Sequence, residues 1–354
     1  VTSRLLVLVS LAFAHVVADT IGSVRPAVPE HLDRGLLDWD AQRYMQIAQH
    51  GYGALRGIEL RFFPLLPLLA RALNVVLPGG AGAALLVVSN VAAFVFGWLV
   101  WRLVVHEKGD AALGLAGGAV WLTFLAPAAF VLVWGYSEAL WGCVTVGMFL
   151  ALRRQQWWLA AVVGVLAGLT RPVAPLLVLP ALIECGRGVR AVPWRSLVPR
   201  AAAVGSPVVG VCVYLAWVHA QGHRDWLLPY HIQQDPKFRG RAVNPVTAVV
   251  HAVQAGFDGD WIALLRVAWV VVLLVAIGLC LRDWPLSYGV FAGAIVLVAL
   301  STQRLGSFER YGFSAFPVML GLAGLVRRRE ALYAVGAACL LGYGTLALLG
   351  SYVP

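Results

Sequence analysis

The 354 residues are 60% hydrophobic and only 12% charged, with a mean hydropathy of +0.80. Soluble domains carry about 25% charged residues, so this chain cannot cover a water-facing surface, and lipid is the solvent for most of it. The formal net charge of +10 does not mark a nucleic-acid binder. Its basic residues recur in short clusters between apolar runs: Arg102 with Lys108, Arg153-Arg154, Arg187 to Arg200, Arg282, and Arg327 to Arg329. That pattern is the positive-inside signature of a polytopic membrane protein, whereas nucleic-acid faces are basic patches on a soluble surface. The five cysteines are scattered without paired spacing, which argues against a metal site or a disulfide framework.

In chain order the apolar runs fall near residues 5–22, 83–103, 111–133, 137–152, 157–170, 172–184, 201–219, 262–281, 285–301, 314–326 and 331–350. The expected fold is an all-α integral membrane protein, a polytopic bundle of about eleven transmembrane helices in one domain over residues 1–354. An inside start places every basic cluster on the cytoplasmic side. Residues 4–19 also fit a signal peptide with small residues near Ala18; the further spans favour a retained helix. The segment 62–78 holds Pro64, Pro67 and Arg71, and counting it as a crossing would invert the charge pattern. A re-entrant or interface-lying helix is expected there.

This topology yields a first outer loop at 23–82, a large outer loop at 220–261, and outer polar patches at 134–141 and 301–313. Asp38, Asp40, Glu59, Glu138, Asp225, Asp235 and Glu309 all gather on that side, as a catalytic chamber at the outer interface would require. The stretch "RGLLDWDAQRYMQIAQHGYG" (34–53) stands out. Tyr44, Ile47 and Ala48 share one helical face opposite Gln42, Gln46 and Gln49, which predicts a short amphipathic helix with Gly51 as its C-cap. Asp40 at its start fits either a helix N-cap or a general base. Transfer of a sugar from a lipid phosphate needs one carboxylate to take the acceptor's proton, with cations stabilising the leaving phosphate. It does not need the flanking carboxylate pair of a glycosidase.

"WDAQRYMQIAQHGY" followed by "RFFPLLPLL" resembles the signature of PIG-V-type mannosyltransferases, integral membrane enzymes of the GT-C class. The matching residues are Trp39-Asp40, the run Ile47 to Tyr52, and Phe62-Phe63-Pro64. "GYSEALW" with Ser137 and Glu138, "GLTRP" with Arg171, and "FERYGFSAFP" with Arg310 and Tyr311 follow in the family's order. The resemblance implies inverting transfer of mannose from a polyprenyl-phosphate-mannose donor, at a site facing away from the cytoplasm. It implies Asp40 as the catalytic acid, with Asp38 as a possible paired acid, as in some GT-C enzymes. It implies donor or substrate contacts from Trp39, Tyr44, His50, Arg61, Ser137, Glu138, Arg171, Arg310 and Tyr311. No cofactor or metal is expected, because monophosphate-lipid donors in this class work without one.

Several of these residues have plainer roles available. Arg171 fits a headgroup anchor as well as a phosphate ligand, Glu138 fits a helix-dipole partner, and Arg310 fits an ion pair with Glu309. His223, His231 and His251 match no zinc spacing. The Ala-, Gly- and Arg-rich composition, with Lys108 and Lys237 as its lysines, suggests the plasma membrane of a high-GC bacterium and a glycolipid or cell-envelope glycan as acceptor. A flippase for lipid-linked sugars and a non-catalytic partner subunit are the alternative functions.

Overall fold

The computed structural model describes residues 1–20, 28–54, 57–188, 193–236, 238–303, 305–325 and 329–354. Parts of the expected outer loops (23–27, 55–56 and Lys237) and of the basic clusters (Arg190, Arg327 and Arg328) lie outside the described residues. The helices run in order α1 (Thr2–Thr20), α2 (Val28–Arg34), α3 (Asp40–His50), α4 (Leu65–Asn74), α5 (Gly80–Lys108) and α6 (Leu113–Leu125). There follow α7 (Glu138–Arg153), α8 (Trp157–Gly168), α9 (Val178–Gly186), α10 (Leu197–Ala220), α11 (Leu228–Gln233) and α12 (Pro245–Phe257). The last are α13 (Trp261–Asp283), α14 (Leu286–Leu300), α15 (Phe308–Phe313), α16 (Pro317–Ala323) and α17 (Arg329–Leu348). Among the described residues there is no β-strand, only one isolated bridge between Ala242 and Thr302.

Among the described residues, five helices are long and apolar enough to cross a membrane: Thr2–Thr20, Gly80–Lys108, Trp194–Ala220, Trp261–Asp283 and Arg329–Leu348. Their outward faces are oily. On α1, Leu5, Leu8, Phe13 and Val16 are exposed while the buried face carries Ser3 and Ser10 beside Val7 and Ala14, so the larger apolar side chains face outward, unlike those of a water-soluble helix. The other expected spans fold as shorter pieces. The run at 111–133 stops as an α-helix at Leu125, passes Pro127 and continues as a 3₁₀ turn over Ala129–Leu132. The run at 314–326 yields only the seven residues of α16, which opens on Pro317. The segment 62–78 gives α4, ten residues long, about 15 Å and too short for a bilayer.

The chain divides into two compact units. The first comprises Val1–Ala54, Leu66–Ala139 and Leu325–Pro354. In it α1 packs on α17 through small groups: Ser10 Oγ donates to Leu6 O (3.0 Å) and to Leu341 O (3.3 Å). A Cβ on Gly344 would stand 3.0 Å from that hydroxyl.

The second unit comprises Leu55–Leu65 and Leu140–Gly324. Here α8 and α10 pack through Gly164-x-x-x-Gly168 and Ser206-x-x-x-Gly210. A Cβ on Gly168 would run into the backbone of Pro207 and Gly210, and one on Gly210 into Val165 O. Without a hydrophobic drive between helices in lipid, close backbone contact through small residues is the available attraction. An aromatic core forms where Phe149 meets Tyr288 (4.9 Å) and Phe316 (5.1 Å). Buried Glu184 accepts from Arg153 Nη1 (2.8 Å) and Ser287 Oγ (2.5 Å), with Arg187 Nε at 3.2 Å. Those partners offset the cost of burying its charge.

Candidate functional site

In the first unit the acidic stretch is a built turn. A 3₁₀ turn over Gly35–Leu37 delivers Asp38, whose backbone N–H donates to Gly35 O (3.3 Å). Asp38 O then accepts from Ala41 N–H (3.1 Å), and Trp39 between them takes φ 54° and ψ −122°. That region strongly favours glycine, and a tryptophan there costs of order 1–3 kcal/mol. The surroundings hold it. The indole N–H donates to Ala347 O (3.1 Å), and the ring stacks on His31 at 4.6 Å and 15°. His31 Nδ1 in turn donates to Asp38 Oδ2 at 2.5 Å. Asp38 is 1% exposed, with Arg34 Nη1 3.7 Å from its other oxygen.

Asp40 is the first residue of α3 and does not cap it. The N-cap is Trp39, which makes no side-chain cap bond. The turn at Trp39 brings the chain into the helix one residue earlier than a capping Asp40 would need, which leaves the Asp40 carboxylate in the first turn, where the helix dipole favours negative charge. The predicted amphipathic face is present, with Ala41, Tyr44, Ile47 and Ala48 buried, and Gly51 closes the helix at φ 73°. Tyr136 backs the turn: its hydroxyl accepts from Asp40 N–H (3.3 Å), and Ser89 Oγ donates to its carbonyl (3.2 Å). Gly135 N–H donates to Leu36 O (3.2 Å). Ser137 and Glu138 follow directly and are buried, so 134–141 is interior structure rather than a surface patch. His50 is exposed at the far end of α3, about 15 Å along the axis from Asp40.

In the second unit the predicted cations collect around one tyrosine. Arg171, buried at the turn after α8, places its guanidinium carbon 5.3 Å from the Tyr311 ring centre. That of Arg310 lies at 4.8 Å, and its Nη2 donates to the Tyr311 hydroxyl (2.8 Å). Arg239, which no sequence motif singled out, comes closest at 3.8 Å. Burial lowers the Arg239 pKa from its ordinary value; Tyr311 opposes this, and the neighbouring Arg310 and Arg171 add to it.

A backbone clip places Arg239. Gln303 N–H donates to Arg241 O (3.1 Å) and Val243 N–H to Ser301 O (3.3 Å) around the Ala242–Thr302 bridge. Gly240 turns at φ 71° against the Gln303 side chain. The preceding residue, Phe238, carries Arg61 at 3.9 Å from its ring. Tyr230 donates to Pro172 O (2.8 Å), and burial pushes its hydroxyl up to about 12.

Of the loop histidines, His231 makes a local contact. His231 Nδ1 meets Asp225 Oδ2 at 2.6 Å on the surface, and that hydrogen bond holds the Asp225 carboxyl below its usual range. His31 and Arg239 are the additions that sequence reasoning missed. The available signals were a histidine seven residues before an acid and an arginine before a glycine, neither of which has a periodicity.

The long apolar helices among the described residues, with their apolar outward faces, mark this as a membrane protein. No family model matches the chain, and no solved structure matches it. Among curated proteins, GPI alpha-1,6-mannosyltransferase 2 of Cricetulus griseus is similar, with 34% identity over 148 residues. The match covers 39% of this chain and 29% of that protein, so the chain spans less than a third of its relative's length.

Proposed function

We propose that the protein is a mannosyltransferase of the PIG-V-like, GT-C type that moves mannose from polyprenyl-phosphate-mannose to a glycolipid or cell-envelope glycan. The reaction inverts the sugar and takes place on the non-cytoplasmic face of a bacterial plasma membrane, in a bundle of about eleven crossings with α4 re-entrant or interfacial. The observation that carries this is the Asp38–Trp39–Asp40 turn, a strained segment fixed from several sides within a chain similar in part to a mannosyltransferase.

The chemistry assigns each group a task. Asp40 takes the proton from the acceptor hydroxyl as its oxygen bonds to mannose C1. The C1–O bond to phosphate breaks, and the phosphate leaves with the electron pair. Arg171, Arg310 and Tyr311 stabilise that charge. Asp38 is the paired acid, oriented by His31. Trp39, Tyr44, His50, Arg61, Ser137 and Glu138 contribute to substrate binding.

The test is mannose transfer by the purified protein to candidate acceptor lipids, in the native chain and in Asp40→Asn. The asparagine keeps the size of the side chain but cannot accept the proton. Turnover should fall about 10²–10⁴-fold, while stability changes by no more than ~1 kcal/mol from the lost dipole interaction. Full turnover in Asp40→Asn would remove Asp40 from the mechanism, and binding without transfer to any acceptor would favour a flippase for the same lipid.

A further inference from the structure

We propose that Arg239 completes a three-arginine clamp with Arg171 and Arg310, and that this clamp binds a polyprenyl phosphate monoester more tightly than its phosphodiester. The inference rests on reading the chain as a transferase that uses a lipid-phosphate donor, and it names the form of that ligand which the site favours.

Arg239 Nε and Nη2 are closed off from solvent and have no hydrogen-bond partner among the described residues. Buried donors left unmade are costly, and a guanidinium cannot shed its charge to escape that cost. The group is also not stranded by a loose loop. The clip between 241–243 and 301–303 ties the segment bearing Arg239 to the segment leading into α15, and with it to Arg310 and Tyr311. Three guanidinium carbons therefore lie within 5.3 Å of one ring centre. Cation–π contact with Tyr311 offsets part of their mutual repulsion, but the ring supplies no formal negative charge. The unmade donors of Arg239 therefore still lack an acceptor. The missing component is an anion with several acceptor oxygens, and a phosphate matches the planar fork of arginine in shape and charge.

The charge of that phosphate changes during transfer. In the donor it is a diester with one negative charge. When the C1–O bond breaks it becomes a monoester, which carries about −1.5 to −2 near neutral pH. A site with three guanidiniums gathered round it and unmade Arg239 donors favours the second state. The growing preference is already felt as the bond stretches, which is how fixed charge accelerates a group transfer. The same preference makes the spent lipid phosphate a competitive inhibitor that leaves slowly.

The experiment measures binding of a short prenyl phosphate and of its O-methyl diester to the purified full chain, by displacement of a fluorescent prenyl phosphate. The native protein should hold the monoester about tenfold or more tighter than the diester. Arg239→Ala should weaken the monoester by a similar factor, bringing the two ligands together, and Arg239→Lys should restore only part of the difference. Arg224→Ala, an exposed cation on the same loop, should change neither affinity. A melting curve on each variant separates lost binding from lost folding, and Arg239→Gln supplies a second uncharged side chain if alanine unfolds. Equal affinities in the native chain, or undiminished monoester binding in a folded Arg239→Ala or Arg239→Gln, would overturn the clamp. Because no sugar is transferred in this assay, its outcome is independent of the Asp40→Asn result. The transferase assignment can fail while the clamp stands, and the reverse.

Discussion

Trp39 carries a conformation that its own side chain opposes, and two contacts hold it there: the bond to Ala347 O and the stack on His31. Separating backbone from side chain gives an inverted ranking of substitutions. Trp39→Gly loses both contacts but releases the strain, whereas Trp39→Ala loses the contacts and keeps it. Glycine should therefore be the more stable of the two by about 1–2 kcal/mol, opposite to the order in an ordinary helix or strand. Denaturant titration in mixed micelles reads this directly, and an alanine variant at least as stable as the glycine variant would deny the strain. On the proposed function, both should lose mannose transfer, since neither holds the turn that would present Asp40. At Arg171 the question is geometry rather than strain. If it holds the donor phosphate as proposed, Arg171→Lys keeps the charge but not the fork, so donor affinity should drop severalfold in an equilibrium binding assay. Unchanged affinity in Arg171→Ala would return this side chain to a structural role.

At the level of elements, the glycine contact between α8 and α10 sets how closely these two helices approach. Leucine at Gly168 or Gly210 would place side-chain atoms inside the opposing backbone and should cost at least about 2 kcal/mol. Gly205→Leu on the same helix meets open space and serves as the control. Thermal unfolding in detergent distinguishes the three variants.

Some elements were legible beforehand for a clear reason. The face of Tyr44, Ile47 and Ala48, and the glycine at 51, are local patterns that survive folding unchanged. The run at 111–133 was not legible as an interrupted helix, because hydropathy counts Pro127 as one more weakly polar residue, while the backbone cannot continue through it unaltered. That α3 starts on Asp40 with Trp39 as its N-cap was not legible for a similar reason. The helix start depends on a positive φ at Trp39 that contacts distant in sequence enforce.

For the molecule as a whole, the basic clusters still predict an orientation. With single cysteines introduced, Arg154→Cys should resist an impermeant reagent added to intact cells, while Gln46→Cys and Gln233→Cys should react. Labelling of Arg154→Cys from outside would invert the arrangement. The candidate residues of the two units were half visible in the sequence. Asp38, Trp39, Asp40, Arg171, Arg310 and Tyr311 sit in short motifs that can be read as text. His31 and Arg239 reach their partners only through turns and pairings between residues far apart in the chain.

The clip that positions Arg239 is made of main-chain amides and carbonyls at 241–243 and 301–303, groups that every residue except proline possesses in full. Its geometry is therefore indifferent to spelling. In a diverging lineage these six positions are free to drift while Arg239 and Gly240 are not. Two descendants would then share this loop atom for atom along the backbone with hardly a letter in common.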